Sequence, residues 1–526
     1  MQMKNKLLGL FIAILCCGLL FVCGSVLVLF LAPGTEIFGI RYVASGTSKC
    51  EINESIGEYK DIYIDTKNVP ISIDFNNGYS SAVEFCQNFI GFTRTKDKVA
   101  NLSMTTENGD LHITANEIEE FVYSQKADEF FRFKLALPSS FFNGTRSLYI
   151  KSKTSSVSIS GNATIKNLTV DTAGGFSVLE TSTLLVNDKL TVKSSKLLDL
   201  GTNVSFFSCD LTSTGNNINI GKAIAGDIKA TTKGGDLKFV SCRNLEFSSK
   251  SGAVKAYGEG TNTVRGTVNI STGGSVTLGE VNTSISSLAS GEEVPTIIST
   301  KGGAISVAKL YQGKISSTRG RISIDVANTL EITSGTGNVS VKNISSKIVV
   351  NGKNGKVTLG EGGVIMNPQV KTSTGVIEVY NTAGTVNLYS KSNDVTFTND
   401  SSKNITLYSG KKIVAKKLKG TVEAYSRNDG KYVFDEISGN VTITSGTRAD
   451  HIKIDATCAK IGTVDYDLKS TKSTKAQVKV GETVIVESSN IKSTMTEGHY
   501  LIKVETSYGE IVLSFMDETP AENTGE

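Results

Sequence analysis

The feature that most restricts what this chain can fold into is a short pattern that recurs along it. Its plainest copy is Leu330–Val341, read L-E-I-T-S-G-T-G-N-V-S-V. Two alternating apolar runs, Leu330/Ile332 and Val339/Val341, flank small polar residues and glycine. Alternation at period two turns one side of each run inward and the other to solvent, as in a half-buried strand. Four inward side chains close no core alone, so the unit is stable only where copies of it stack.

The chain supplies the copies. The first apolar residue after the turn recurs at Val157, Phe176, Leu198, Ile218, Leu237, Val254, Val276, Ile305, Ile322, Val339, Val357, Ile377, Val395, Ile413, Tyr432 and Ile452. Fourteen of the fifteen gaps between these positions are 17–22 residues, and the longer one holds 281–296, a Ser-rich surface insertion. Glycine stands two residues before ten of them, from Gly174 to Gly430, and Asn216, Asn393 or Asp450 before three more. These residue types tolerate a positive φ, so the column predicts one left-handed backbone corner repeated at every level. The fold class expected is all-β, a β-solenoid (β-helix-like) of about sixteen or more two-strand levels behind one N-terminal transmembrane helix. Stacked ~4.8 Å apart, sixteen levels make a rod of roughly 75 Å.

The organisation read along the chain is a cytoplasmic stub at 1–6, an anchor at 7–32 and a juxtamembrane link at 33–47. An elaborated, capping portion follows at 48–150, then the regular solenoid at 151–454, a C-terminal cap at 455–515 and a disordered tail at 516–526. Within 48–150 the insertion 115–129 contains N-E-I-E-E-F and reads as a short helix. Lys4 and Lys6 precede Leu7–Ala32, a stretch without charge. As a helix it would be ~39 Å long, more than the ~30 Å of hydrocarbon in a bilayer. No A-x-A site follows it, which favours an uncleaved anchor over a signal peptide. Lysines on the short side place the N-terminus in the cytoplasm and the bulk of the chain outside a single-pass cell membrane protein.

Of 526 residues only six are proline, as suits strands hydrogen-bonded on both edges. Net charge is +4 and calls for no nucleic acid. Cys16, Cys17 and Cys23 lie in the anchor, while Cys50, Cys86, Cys209, Cys242 and Cys458 form no C-x-x-C pair, leaving Cys50–Cys86 as the one pairing suggested by proximity in sequence. His112, His451 and His499 are isolated, and G-x-S-x-G, H-E-x-x-H and P-loop motifs are absent. Asp110, Asp227, Asp236 and Asp394 lie near corners without a calcium-binding spacing. No cofactor, metal or enzymatic activity is expected. A polysaccharide-cleaving β-helix would need acids on adjacent levels, and the spacing reveals no such column.

One outward feature stands apart. In V-N-L-Y-S, I-T-L-Y-S and V-E-A-Y-S, the inward alternation of Val386/Leu388, Ile405/Leu407 and Val422/Ala424 turns Tyr389, Tyr408 and Tyr425 outward on successive levels. Lys411, Lys412, Lys416, Lys417 and Lys419 are close in sequence. Such a row is a candidate ligand-binding face for sugar rings and envelope phosphates. A stacked ladder that only stabilises a regular face, with lysines that keep it soluble, accounts for the same residues.

The segments D-I-Y-I-D-T-K-N-V-P-I-S-I and E-N-G-D-L-H-I, the repeated T-S-x-G-x-V-x-V units and the short N-terminal anchor resemble a bacterial family of putative adhesins. Its members are membrane-anchored β-strand-repeat proteins whose domain has no known function. The resemblance covers most of 62–515 and implies the fold and a non-catalytic surface role, with no catalytic residues to carry over. It points to cell-wall or host glycans or surface proteins as partners. The alternative is a structural or sensory envelope protein acting with a membrane partner.

Overall fold

In the computed structural model, the structure describes residues 2–31, 36–37, 40–43, 46–51, 59–67, 69–76, 82–87, 91–93, 101–116, 131–221, 226–256, 262–281, 296–399, 401–402, 404–418, 421–426, 431–437, 439–445, 451–456, 461–471, 475–506 and 509–516. Of the expected helix at 115–129, Ala115 and Asn116 belong instead to the strand Asp110–Asn116, and the remainder, the insertion at 281–296 apart from its two ends, Lys419, Cys458 and nearly all of the tail lie outside them. One helix, Gln2–Leu31, opens the chain. Its segment Leu8–Val28 is long and apolar enough to cross a membrane and none of it is buried against protein. The Ser25 hydroxyl donates to the Phe21 carbonyl at 2.8 Å, so even this polar group is satisfied within the helix.

Everything after the helix that is assigned to regular structure is strand, and about 14 turns of β-solenoid are found, near the sixteen levels expected. The chain divides into two compact units, Met1–Val240 and Ser241–Glu526. In the first, Ile71, Val157, Phe176, Leu198, Ile218 and Leu237 lie opposite one another in succession in a parallel ladder. In the second, the same column runs from Val254 through Val276, Ile305, Ile322, Val339, Val357, Ile377, Val395, Ile413 and Tyr432 to Ile452. Within each unit every step of the spacing pattern is therefore a register pair. The column also continues to Ile511 beyond Ile452.

A second ladder carries the other apolar run, for example Ile315, Ile332, Val350, Val370, Leu388, Leu407 and Ala424. The two runs of one level are often parts of a single bent strand, as in Ile322–Ser334 and Val339–Gly352. Leu330–Val341 is thus not one level. It is the corner that carries the chain from the end of one level to the start of the next. At the bend a third inward column appears, Val281, Leu310, Ala327, Ile344 and Ile365, all buried. The two-run pattern does not disclose it, because each level contributes a single apolar residue there.

The glycine column is also explained differently from expectation. None of Gly303, Gly320, Gly337 and Gly355 has a positive φ. A Cβ on Gly320 would instead meet the Gly303 carbonyl, one on Gly337 the Gly320 carbonyl, and one on Gly355 the Gly337 carbonyl, each closer than 3.0 Å. Corner backbones on successive levels lie directly against one another, and only hydrogen fits between them. Positive φ occurs elsewhere, as at Asn108 (φ 55°) and Gly109 (φ 86°) in the hairpin turn between Asn101–Glu107 and Asp110–Asn116.

Just before each corner an inward Ser or Thr recurs. Thr300, Ser317 and Ser334 are in register and buried, and so are Thr372, Ser390, Ser409 and Ser426. Their hydroxyls donate to corner carbonyls, Ser334 to Gly337 at 2.6 Å and Thr372 to Gly375 at 2.8 Å. They also accept from corner amides, Ser317 from Gly320 at 2.9 Å. A tight turn buried between levels leaves backbone groups without ladder partners, and this column satisfies them.

The parallel ladders close in antiparallel strands toward both chain ends. Ala82–Gln87 runs antiparallel to Phe131–Pro138 and to Gly46–Glu51, while Thr483–Ser488 runs antiparallel to Ala476–Val480. Cys50 lies opposite Val83 and Cys86 opposite Thr47 in this register, and the side chains of the suggested Cys50–Cys86 pairing lie outside those described.

Candidate functional site

Tyr389, Tyr408 and Tyr425 are brought together by the second ladder of the Ser241–Glu526 unit. Strands Thr385–Ser390, Asn404–Ser409 and Thr421–Ser426 pair in parallel, placing Tyr389 opposite Tyr408 and Tyr408 opposite Tyr425. In each, two buried apolar residues and a buried serine alternate with outward side chains, so the tyrosine has only the outer face available. The rings stack with centroids 4.3 Å and then 5.3 Å apart and planes within 12° and 24°. Parallel register at one level per ring imposes this contact.

The column continues from Tyr389 through Lys371, Asn351, Thr333, Ser316 and Ser299. The Lys371 ammonium lies 5.7 Å from the Tyr389 ring centroid, within cation–π range. The small residues below it, with Lys353 and Ser373 at the corner, line a groove of about 440 Å³. The tyrosine row therefore opens into a trough of hydroxyls, one amide and two ammonium groups. Sequence reasoning missed this trough. Its signal is a run of levels whose outward residue before the inward Ser/Thr is itself small and polar.

The predicted lysines are distributed less simply. Lys411 is exposed at the corner that follows Tyr408, and Lys412 begins the next strand, Lys412–Lys416. That strand belongs to the first ladder, whereas the tyrosines belong to the second. Lys416 and Lys417 lie at its far end, where the Lys416 ammonium pairs with Asp435 at 3.6 Å. The lysine against the tyrosine row is Lys371, which proximity in sequence does not suggest.

Other outward charges pair between neighbouring levels, as in Lys314–Glu331 at 3.9 Å and Lys309–Glu280 at 2.6 Å. The register also brings Asp435 opposite Asp455, an acid pair on adjacent levels that the spacing did not reveal. Asp435 is the carboxylate already engaged by Lys416. Among the described residues no group of three or more His, Cys, Asp or Glu is arranged to hold a metal ion.

No family model and no curated protein matches the sequence. Solved structures that resemble it include a putative cell adhesion protein from Clostridium sporogenes, 7% identical, covering 90% of this chain and 99% of that one with a TM-score of 0.15. A putative adhesin from Parabacteroides distasonis is 12% identical over 66% of this chain and 96% of that one, TM-score 0.19. A putative adhesin from Parabacteroides merdae is 10% identical over 77% and 97%, TM-score 0.17. The likeness to adhesins read from the sequence thus recurs in the names of these neighbours. At such identities and scores they bear no weight on what this chain binds, and the solenoid assignment rests on the strand register.

Proposed function

We propose that this chain is a single-pass, membrane-anchored protein of the bacterial cell surface that binds rather than catalyses, an adhesin or envelope-binding protein. Its contact face is the row Tyr389, Tyr408 and Tyr425 together with the trough that starts at Lys371. The observation that carries this reading is the continuity of the two in one outward column. Tyrosine rings offer apolar surface to the C–H face of a sugar and a hydroxyl at the tip. Hydroxyls and ammonium groups repeating at ~4.8 Å suit an extended, polyhydroxylated chain carrying phosphate or carboxylate groups. The helix at Leu8–Val28 serves as the uncleaved anchor, with its N-terminus in the cytoplasm.

The test is titration of the full chain, held in lipid nanodiscs, with cell-wall glycans and mucins. Replacing all three tyrosines with serine is expected to abolish saturable binding of phosphate- or carboxylate-bearing glycans while strand content is retained. Undiminished binding by that folded variant would remove this face from consideration. Recovery of a membrane protein by crosslinking, without glycan binding, would favour the structural or sensory alternative.

A further inference from the structure

The Met1–Val240 unit holds a second aromatic stack, which the proposed contact face does not use. Tyr149 lies opposite Tyr63, and Tyr63 opposite His112. Ring centroids are 4.5 and 4.6 Å apart, with planes within 6° and 5°. Burial first, then Tyr149, Asp110 and Asp61, push the Tyr63 phenol above its ordinary value, so that ring is neutral at physiological pH.

The two stacks end differently. Tyr389 is covered by the Lys371 ammonium. Beyond Tyr149 the next residue in its column is Thr169, a small side chain where a fourth ring would continue the ladder. Among the described residues, neither a ring nor a cation covers that face of Tyr149. One outward position further along the same strands run Asp65, Lys151 and Asp171, all exposed, with Lys151 3.8 Å from Asp65. Between the two columns is a groove of about 340 Å³ whose lining includes Tyr149, Thr169, Lys151 and Asp171. That volume falls within the roughly 300–1,000 Å³ of small-molecule sites.

We propose that the step from Tyr149 to Thr169 is a stacking slot for one ring of an uncharged sugar. The electron-rich face of Tyr149 meets the C–H face of the ring. Asp171 accepts hydrogen bonds from its hydroxyls, and Lys151 donates to them. Lys193 lies opposite Asp171, so the column alternates Asp65, Lys151, Asp171 and Lys193, and an acidic sugar gains no net attraction there to offset desolvation of its carboxylates, in contrast to the lysine-bearing trough of the other unit. This site stands whether or not that trough binds anything.

The full chain in nanodiscs is titrated with cellotetraose and tetra-N-acetylchitotetraose, and with tetragalacturonate as the acidic counterpart, using saturation-transfer NMR. At least one uncharged probe is expected to bind. Thr169→Tyr fills the slot by extending the stack and Tyr149→Ser removes its platform, and each is expected to weaken binding about tenfold, the scale of one aromatic contact. Asp171→Asn weakens it less. Thr169→Tyr removes no packed group, so unchanged hydrogen exchange in that variant separates lost binding from lost folding. The proposal is overturned if neither uncharged probe binds, if tetragalacturonate binds equally well, or if Thr169→Tyr leaves affinity intact.

Discussion

Gly337 and Tyr408 both belong to columns that repeat level by level in the Ser241–Glu526 unit, yet they repeat for opposite reasons. At Gly337 the neighbouring level is so close that a Cβ would enter the Gly320 carbonyl. The column is dictated by lack of space. At Tyr408 solvent is available, and the ring stays in line because Tyr389 and Tyr425 lie 4.3 and 5.3 Å away. That column changes character along its length, from tyrosine to lysine to asparagine, threonine and serine. Repetition inside a solenoid therefore reports packing, whereas the place where an outward column changes reports a surface that differs from its neighbours. The search for function belongs with the second kind.

Substitutions at the corner and on the outer face should separate these two kinds of repetition, and the largest effect is expected at the corner. Gly337→Val forces a side chain between two backbones and should cost about 3 kcal/mol, the upper end for overpacking. It should appear as faster amide exchange across 333–341, and unchanged protection would mean that the corner has room after all. Ser334→Ala, which strips the hydroxyl donated to the Gly337 carbonyl at 2.6 Å, should cost about 1–2 kcal/mol by urea unfolding. Ser334→Thr should stay within about 0.5 kcal/mol, because Thr300 and Thr372 make the same bond at 2.9 and 2.8 Å, and the hydroxyl is the requirement. On the outer face, Tyr408→Ser should cost about 1 kcal/mol of stability while it weakens glycan binding. A loss as large as that of Gly337→Val would make the row a structural ladder alone. Smallest of all, Glu331→Gln removes an exposed pair with Lys314, and should shift stability by under about 0.5 kcal/mol, vanishing in high salt.

The apolar periodicity alone located the first ladder, and Val157 to Leu237 and Val254 to Ile452 pair within their units as the spacing requires. It did so because period-two burial and a fixed level length leave traces at every repeat. The outward turn of Tyr389, Tyr408 and Tyr425 was legible for the same reason, since it follows from Leu388, Leu407 and Ala424 pointing inward. The third inward column, with Ile344 and Ala327, left no alternating pair to read, because a bend needs only one apolar residue per level.

What the sequence by itself determined is therefore which residues share a level and which side of the strand they take. Those are properties of local alternation and repeat length. Tertiary structure alone decided what each column touches: a carbonyl above Gly337, a buried turn beside Ser334, Lys371 on Tyr389, and, among the described residues, neither a ring nor a cation on the Thr169 side of Tyr149. Apart from the bond of Ser334 to Gly337, three residues on, such contacts join residues about one level apart in the chain and only ~4.8 Å apart in space, so they are set by how levels stack and not by the alternation within them.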